Sequence, residues 1–481
     1  MIKGIGKKVF IVGIGGISLS AIAKFLIKNN HYVAGSDLCY NEMVDSLKNL
    51  GIEVFIGHNA KNIKGFDTVV YTSAVNSSNP ELLEARQLGL QILSRAECLS
   101  LISNEFKNVV AISGSHGKTT ATALIFEVLF DAKKDVSLHI GGNTNRFGNV
   151  YISQKKDILV TEACEYKDNF LKLSPSIGVV LNIQPDHLDY FKNFDNLKKS
   201  FEKFKNRIRK YGIFIANADD ENSNKLLSTR AKSLGFGIEN SEADFFAENI
   251  YEYKKGFYSF DFFFHGFNLG NFKCGIPGKY NIYNSMVAII VGIVFDVDIE
   301  SIKKSIYKFT GVKRRMEPIG EICVGRRENL TKCPHNSTSD NNASGKNEEE
   351  QIFVKVIADY AHHPTEIKKV IELAKSCADG KVIAVFQPHT YSRTKALFEE
   401  FVESLSVADY AVTFPIYSAR ENPIENVTSE NLAIAIKSNG KNCQYASDFS
   451  ELKSLLGEIS EAGDIILILG AGDIIDFRYR L

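Results

Sequence analysis

Three times along this chain a short, β-branched apolar run is followed by a turn and then by an amphipathic stretch with helical spacing. "KVFIVGIGG" (8–16) leads into "ISLSAIAKFLIKNN" (17–30), and "NVVAISGSHGKTT" (108–120) leads into an apolar run ending at Phe130. The pattern restarts after "KVIAD" (355–359). Alternating strand and helix periods mean parallel sheets covered on both faces. The chain is therefore predicted to be α/β, built from three units in series with boundaries near residues 107 and 313. Within the middle unit, "YEYKKGFYSFDFFFHGFNLGNFKCGIPG" (251–278) reads as antiparallel hairpins. Residues 325–351 are polar and rich in Asn, Ser and Glu. Such a segment cannot bury enough apolar surface to offset its ordering entropy, so it is expected to be a flexible surface insertion.

Composition narrows the function classes. Lysine plus arginine equals aspartate plus glutamate at 57 each, which argues against a general nucleic-acid or membrane-surface binder. The eight cysteines include no C-x-x-C pair and are expected to be reduced thiols of a cytoplasmic protein. The N-terminal apolar run is broken by glycines and makes a poor signal peptide. "SMVAIIVGIVF" (285–295) is too short to cross a bilayer.

The segment "SGSHGKTT" (113–120) lies between an apolar run and a helix. A helix that starts after a glycine turn presents free N–H groups at the positive end of its dipole, which favours phosphate. Gly117, Lys118 and Thr119 give the ending of a phosphate loop, but Ile112 stands where its first glycine is usual. Gly114 and Gly117 would admit phosphate close to the backbone, Lys118 would reach the β- and γ-phosphates, and Thr119 would take Mg²⁺. A weaker signal is "GIGGIS" (13–18), two glycines of a dinucleotide fingerprint with Ser18 at the third place and Asp37 ending the next strand. A nicotinamide enzyme would use that turn but would leave 114–120 without a task.

Glu162 ends "ILVTE" and His187 follows "GVVLNI", so both should reach the carboxyl edge of the sheet, beside Lys118 and Thr119. Asn281 and Asn284 fall on one face of a helix start. Arg314 and Arg315 mark the second boundary, and Arg393 in "FQPHTYSRT" could clamp a carboxylate with two prongs. His362 and His363 could be a metal pair or a turn.

Taken together, "GIGGIS", "SGSHGKTT", "EACEYKDNF", "NIQPDHLDYF", "GKYNIYN", "GVKRRM", "DYAHHPTEI", "FQPHTYSRT" and "GAGDI" resemble, in order, the motifs of the Mur ligases. The resemblance covers nearly the whole chain apart from the polar insertion. It implies three domains. These are a Rossmann-like UDP-sugar domain (1–107), a central P-loop-type ATPase domain with a mostly parallel sheet (108–312), and a Rossmann-like amino-acid domain (313–481). It implies ATP and Mg²⁺ as cofactors, with UDP-N-acetylmuramate as the acid and L-alanine as the amine, in a chain acting as monomer or homodimer. The tripeptide-recycling member of the family is the alternative.

By that resemblance Gly114, Ser115, His116, Gly117, Lys118, Thr119 and Thr120 hold ATP, and the shorter loop with Ile112 is the family's own form. Thr119, Glu162 and His187 lie around the metal. Asn281 and Asn284 lie near the base, and Arg315 and Asp359 close over ATP. Gly13, Gly15, Gly16 and Asp37 belong to the UDP-sugar site. Tyr360, His362, His389 and Arg393 form the amino-acid pocket. Lys118, Glu162, His187 and Arg315 are the implied catalytic residues. Two departures stand out. Phe201 occupies the place where several siblings carry a modified lysine, and Thr390 replaces a common basic residue.

Overall fold

The computed structural model describes all residues except 73, 228–231, 328–349 and 420, and omits the side chains of residues 189, 325–327, 350 and 351. The chain folds as two compact units, Met1–Lys313 and Arg314–Leu481.

The first unit holds two sheets. In the first sheet, β1 (Lys8–Val12), β2 (Tyr32–Asp37), β3 (Glu53–Ile56), β4 (Thr68–Tyr71) and β5 (Gln91–Ser94) are all parallel, in the order β3-β2-β1-β4-β5. The order reverses at β1, so the glycine turn at its carboxyl end sits where doubly wound sheets leave a crevice.

The second sheet comprises β6 (Asn108–Ser113), β7 (Val136–Thr144), β8 (Gly148–Tyr151), β9 (Ile158–Glu162), β10 (Ile177–Val180), β11 (Ile213–Asn217), β12 (Lys232–Gly237), β13 (Phe245–Lys254), β14 (Phe257–Phe264) and β15 (Phe267–Lys273). Their order is β15-β14-β13-β12-β11-β10-β6-β9-β7-β8. The ladder from β13 to β7 is parallel. The hairpins expected from the aromatic region run antiparallel through β14 and β15. Central β6 pairs with β9 on one side and β10 on the other, with Ile112 opposite Glu162 and Ser113 opposite Val180.

The first two sheets share core. One buried cluster joins Ile11, Leu19 and Phe25 of the first block to Val109, Leu159 and Phe201 of the second. A continuous apolar cluster explains why the first two α/β blocks form a single compact unit, since separating them would expose it to water. Phe201 is fully buried within this cluster.

The second unit has β16 (Glu317–Arg327), β17 (Glu350–Asp359), β18 (Val382–Phe386), β19 (Tyr410–Thr413), β20 (Cys443–Tyr445) and β21 (Ile465–Leu469). They run in the order β16-β17-β21-β18-β19-β20, parallel except for the β16–β17 pair. That pair corrects the expected insertion boundaries. The ladder continues to Arg327 opposite Glu350, so residues 325–327 and 350–351 are strand. Backbone pairing along a two-stranded ladder does not need apolar side chains, which is why a polar composition hid it. Residues 328–349 of the expected insertion lie outside the described residues.

Candidate active site

Three neighbouring parallel strands deliver the first site. β6 ends in the loop 114–117, β9 ends at Glu162, and the chain leaving β10 carries Asn182, Asp186 and His187. Sequence spacing points the glycine loop, Glu162 and His187 to this sheet edge; the order β10-β6-β9 makes the strand ends adjacent.

The loop is built on two left-handed glycines. Gly114 has φ 139° and Gly117 has φ 85°. A Cβ on Gly114 would lie 3.1 Å from Asn182 N, and one on Gly117 would lie 3.1 Å from Asn284 Oδ1. Asn182 fastens the loop from below: its carbonyl accepts from Ser115 N–H at 3.1 Å and its Oδ1 from His116 N–H at 2.9 Å. The Ser115 hydroxyl donates to Gln184 O at 2.9 Å. Helix Lys118–Asp131 then starts at Gly117, with its N-terminus facing the strand-end crevice. Thr119 and Thr120, in its first turn, are partly buried.

Asn281 and Asn284 begin helix Asn281–Val294 and are 2% and 3% exposed. Asn284 Nδ2 donates to Asn281 Oδ1 at 2.8 Å, and Asn281 Nδ2 donates to Pro277 O at 2.6 Å. The pair therefore supports Gly117 from behind, a placement the implied base contact did not anticipate.

Lys118 Nζ donates to Gly114 O at 2.5 Å, to Ser115 O at 3.1 Å and to Glu165 Oε1 at 3.0 Å. Glu165 is fully buried. Burial works to lower the Lys118 pKa, but the Glu165 charge, assisted by Glu162, outweighs it and holds the ammonium above its ordinary value. Within "EACEYKDNF" the sequence implies no role for Glu165. Its only sequence signal was a position three residues after Glu162 in a segment without helical or strand period.

Oxygen and nitrogen ligands for a divalent cation gather here. Ligand atoms of Glu165, Asp186 and His187 all lie within 4.8 Å of one another. His187 adopts a left-handed backbone, φ 52°, which aims it back at Glu165, with Nε2 3.8 Å from Oε1. Glu162 Oε1 and Glu165 Oε2 are buried without a hydrogen-bond partner. Buried carboxylate oxygens left unpaired are costly unless a ligand completes them, so the donor set fits Mg²⁺. Of the expected ligands, His187 belongs to this three-residue group. Glu162 and Thr119 instead flank successive glycines of β7: a Cβ on Gly141 would lie 2.8 Å from Glu162 Oε2, and one on Gly142 2.8 Å from Thr119 Cγ2.

At the glycine turn after β1, Gly13 has φ 82°. Gly15 N–H donates to Asp37 Oδ2 at 2.8 Å, and Leu38 N–H to Oδ1 at 2.8 Å. Asp37 thus braces the turn, while Gly16 is exposed at the start of helix Ile17–Lys28.

The remaining expected residues lie in the second unit. Asp359 is buried at the end of β17, and burial raises its pKa. It accepts from Met316 N–H and Ala361 N–H, each at 2.9 Å, and so shapes the turn carrying Arg315. The Arg315 guanidinium lies 5.7 Å from the Tyr360 ring centre. Tyr360 and His362 rings are 5.2 Å apart, and His362 and His389 rings 6.2 Å. Burial, then Arg393 and His362, push His389 down to about 4. Arg393 Nη1 is buried without a hydrogen-bond partner. His362, His389 and Arg393 form one cluster, and among the described residues the half-buried Arg393 makes no ion pair with a carboxylate. His363 is exposed, and among the described residues neither histidine belongs to a group of three or more metal-ligating side chains.

Comparison with known proteins follows the same division. Residues 8–107 match the Mur ligase family catalytic domain, 112–292 the Mur ligase middle domain, and 347–472 the Mur ligase glutamate ligase domain. The chain is 39% identical over 468 residues to the UDP-N-acetylmuramate–L-alanine ligase of Caldicellulosiruptor saccharolyticus, covering 97% of this chain and 96% of that one. The solved UDP-N-acetylmuramate-alanine ligase of Thermotoga maritima superposes with a TM-score of 0.78 at 26% identity, covering 98% and 97% of the two chains. A murein peptide ligase of Psychrobacter arcticus has the same fold, with a TM-score of 0.69 at 22% identity and 99% and 98% coverage. With a phosphate loop flanked by strand-end acids and near full-length similarity, the chain belongs to the Mur ligase family.

Proposed function

We propose that this ligase joins L-alanine to the carboxylate of UDP-N-acetylmuramate at the expense of ATP, giving the amide, ADP and phosphate. The observation that carries this reading is the meeting of Lys118, Glu162, Glu165 and His187 at the ends of adjacent strands. Near full-length similarity to named L-alanine ligases supports the choice of substrates. No helix among the described residues is long and apolar enough to cross a membrane, and a soluble sugar nucleotide with ATP suits a cytoplasmic enzyme. In this reading residues 1–107 bind the UDP-sugar, 108–312 bind ATP, and 313–481 bind the amino acid.

A carboxylate is a poor acyl donor because its oxygen leaves badly. One of its oxygens attacks the γ-phosphorus, ADP departs, and the product is an acyl phosphate. The amine then attacks the acyl carbon and phosphate leaves. The first step brings anion to anion, so fixed positive charge is the main requirement. Lys118 exchanges Gly114 O, Ser115 O and Glu165 for phosphate oxygens, while the amides of 114–117 orient the chain of phosphates. Glu165, Asp186 and His187, with Glu162 and Thr119 at the neighbouring strand end, would hold Mg²⁺, whose chemistry there is charge neutralisation. In the second unit, Arg393 would receive the carboxylate of the amino acid in two-pronged fashion. His389, neutral near pH 7, would not repel the amine.

The test is phosphate release from ATP and UDP-N-acetylmuramate with L-alanine, glycine, L-serine or the recycled tripeptide. L-Alanine should give the highest kcat/KM. Release with the tripeptide alone would replace this reading by the recycling activity.

A further inference from the structure

Ser18 departs from the dinucleotide fingerprint, His139 is buried without an assigned task, and Arg95 opens helix Arg95–Ser103. The structure links all three. Arg95 Nη1 donates to Ser18 Oγ at 3.2 Å, and Ser18 Oγ lies 3.0 Å from His139 Nε2. His139 Nδ1 lies 3.0 Å from Thr161 Oγ1, which donates to Glu162 O at 3.2 Å.

Proton accounting gives the chain a direction. Thr161 spends its proton on Glu162 O, so it accepts from His139 Nδ1–H. Nε2 then carries the lone pair, and the Ser18 hydroxyl donates to it. Ser18 oxygen is left to accept from Arg95. Only the neutral imidazole satisfies every partner, and burial followed by the Arg95 charge pushes His139 down to about 3.

The relay thus runs from the backbone of Glu162 to a guanidinium. Arg95, Glu162 and Cys164 line one small cavity, yet among the described residues Arg95 forms no ion pair with a carboxylate. A fixed, unpaired arginine next to the strand end of the phosphoryl site is suited to an anion that has to meet the γ-phosphate.

We propose that Arg95 receives the lactyl carboxylate of UDP-N-acetylmuramate, and that Ser18 and His139 are positioning residues that hold Arg95 at the edge of Glu162. This rests on the substrate assigned above. A guanidinium can bind one carboxylate oxygen or both while leaving a lone pair free for attack. It also offsets the repulsion between the carboxylate and the phosphates.

The experiment compares binding of UDP-N-acetylmuramate with UDP-N-acetylglucosamine, which lacks the lactyl acid, by calorimetry on wild type, Arg95→Ala and Ser18→Ala. Wild type should prefer the muramate. Arg95→Ala should weaken the muramate tenfold or more while leaving the glucosamine nucleotide and the KM for ATP unchanged. Ser18→Ala should lose part of the same preference. Equal weakening of both sugars, or an unchanged preference, overturns the proposal, because a merely structural arginine cannot tell them apart. If wild type shows no preference for the acid, the assigned substrate itself fails. Should Arg95→Ala not fold, Arg95→Gln carries the same comparison.

Discussion

Lys118 shows how a single residue can belong to chemistry and stability together. Its ammonium is paired with a fully buried carboxylate, Glu165. Lys118→Ala should lower turnover by two or more decades, about 3 kcal/mol of lost charge stabilisation. It also leaves a buried charge without its partner, so the melting temperature should fall. The double variant Lys118→Ala/Glu165→Gln should recover the melting temperature and none of the turnover; recovery of phosphate release would remove the lysine from the reaction. His139 gives a second test at this scale. Its folded pKa of about 3 lies below the ordinary histidine value of 6.5. Below pH 6.5 the unfolded chain takes up a proton that the folded chain refuses, so its stabilising contribution is present above 6.5 and lost as pH falls. The slope is about 1.4 kcal/mol per pH unit between 6.5 and 3. His139→Gln should flatten the decline in melting temperature between pH 7 and pH 5; an unchanged decline would show that His139 is not a protonation-sensitive contact.

At the scale of elements, the phosphate loop depends on backbone conformations closed to most residues. Gly117→Ala asks an L-residue to adopt φ 85° and sets a methyl 3.1 Å from the buried Asn284 amide. ADP affinity measured by calorimetry should drop tenfold or more while UDP-sugar binding is retained, because the glycine turn at 13–16 belongs to another sheet. Both glycine turns were legible as turns, since each breaks an apolar run just before a helical period. The fastening of the loop by Asn182 was not legible. Asn182 lies 66 residues from His116, and only the pairing of β6 with β10 brings them together. The same holds for Asn281 and Asn284: their spacing revealed a shared helix face but not that the face is buried against Gly117.

For the whole molecule, the β16–β17 ladder sets the limits of the polar insertion. Deleting 328–349 and closing Arg327 to Glu350 with Asn-Gly, a two-residue hairpin turn, should leave phosphate release within about twofold of wild type. Loss of activity in a folded deletion would give that segment a function. The three repeating α/β periods, the two glycine turns and the strand-end position of Glu162 followed from sequence alone, because periodicity and turn chemistry are local. The fusion of the first two blocks through one apolar cluster was decided by packing. So were the burial of Glu165 against Lys118 and the relay from Arg95 through His139 to Glu162. Each depends on residues far apart in the chain, whose meeting is set by strand order, and strand order leaves no mark in the local pattern of the sequence.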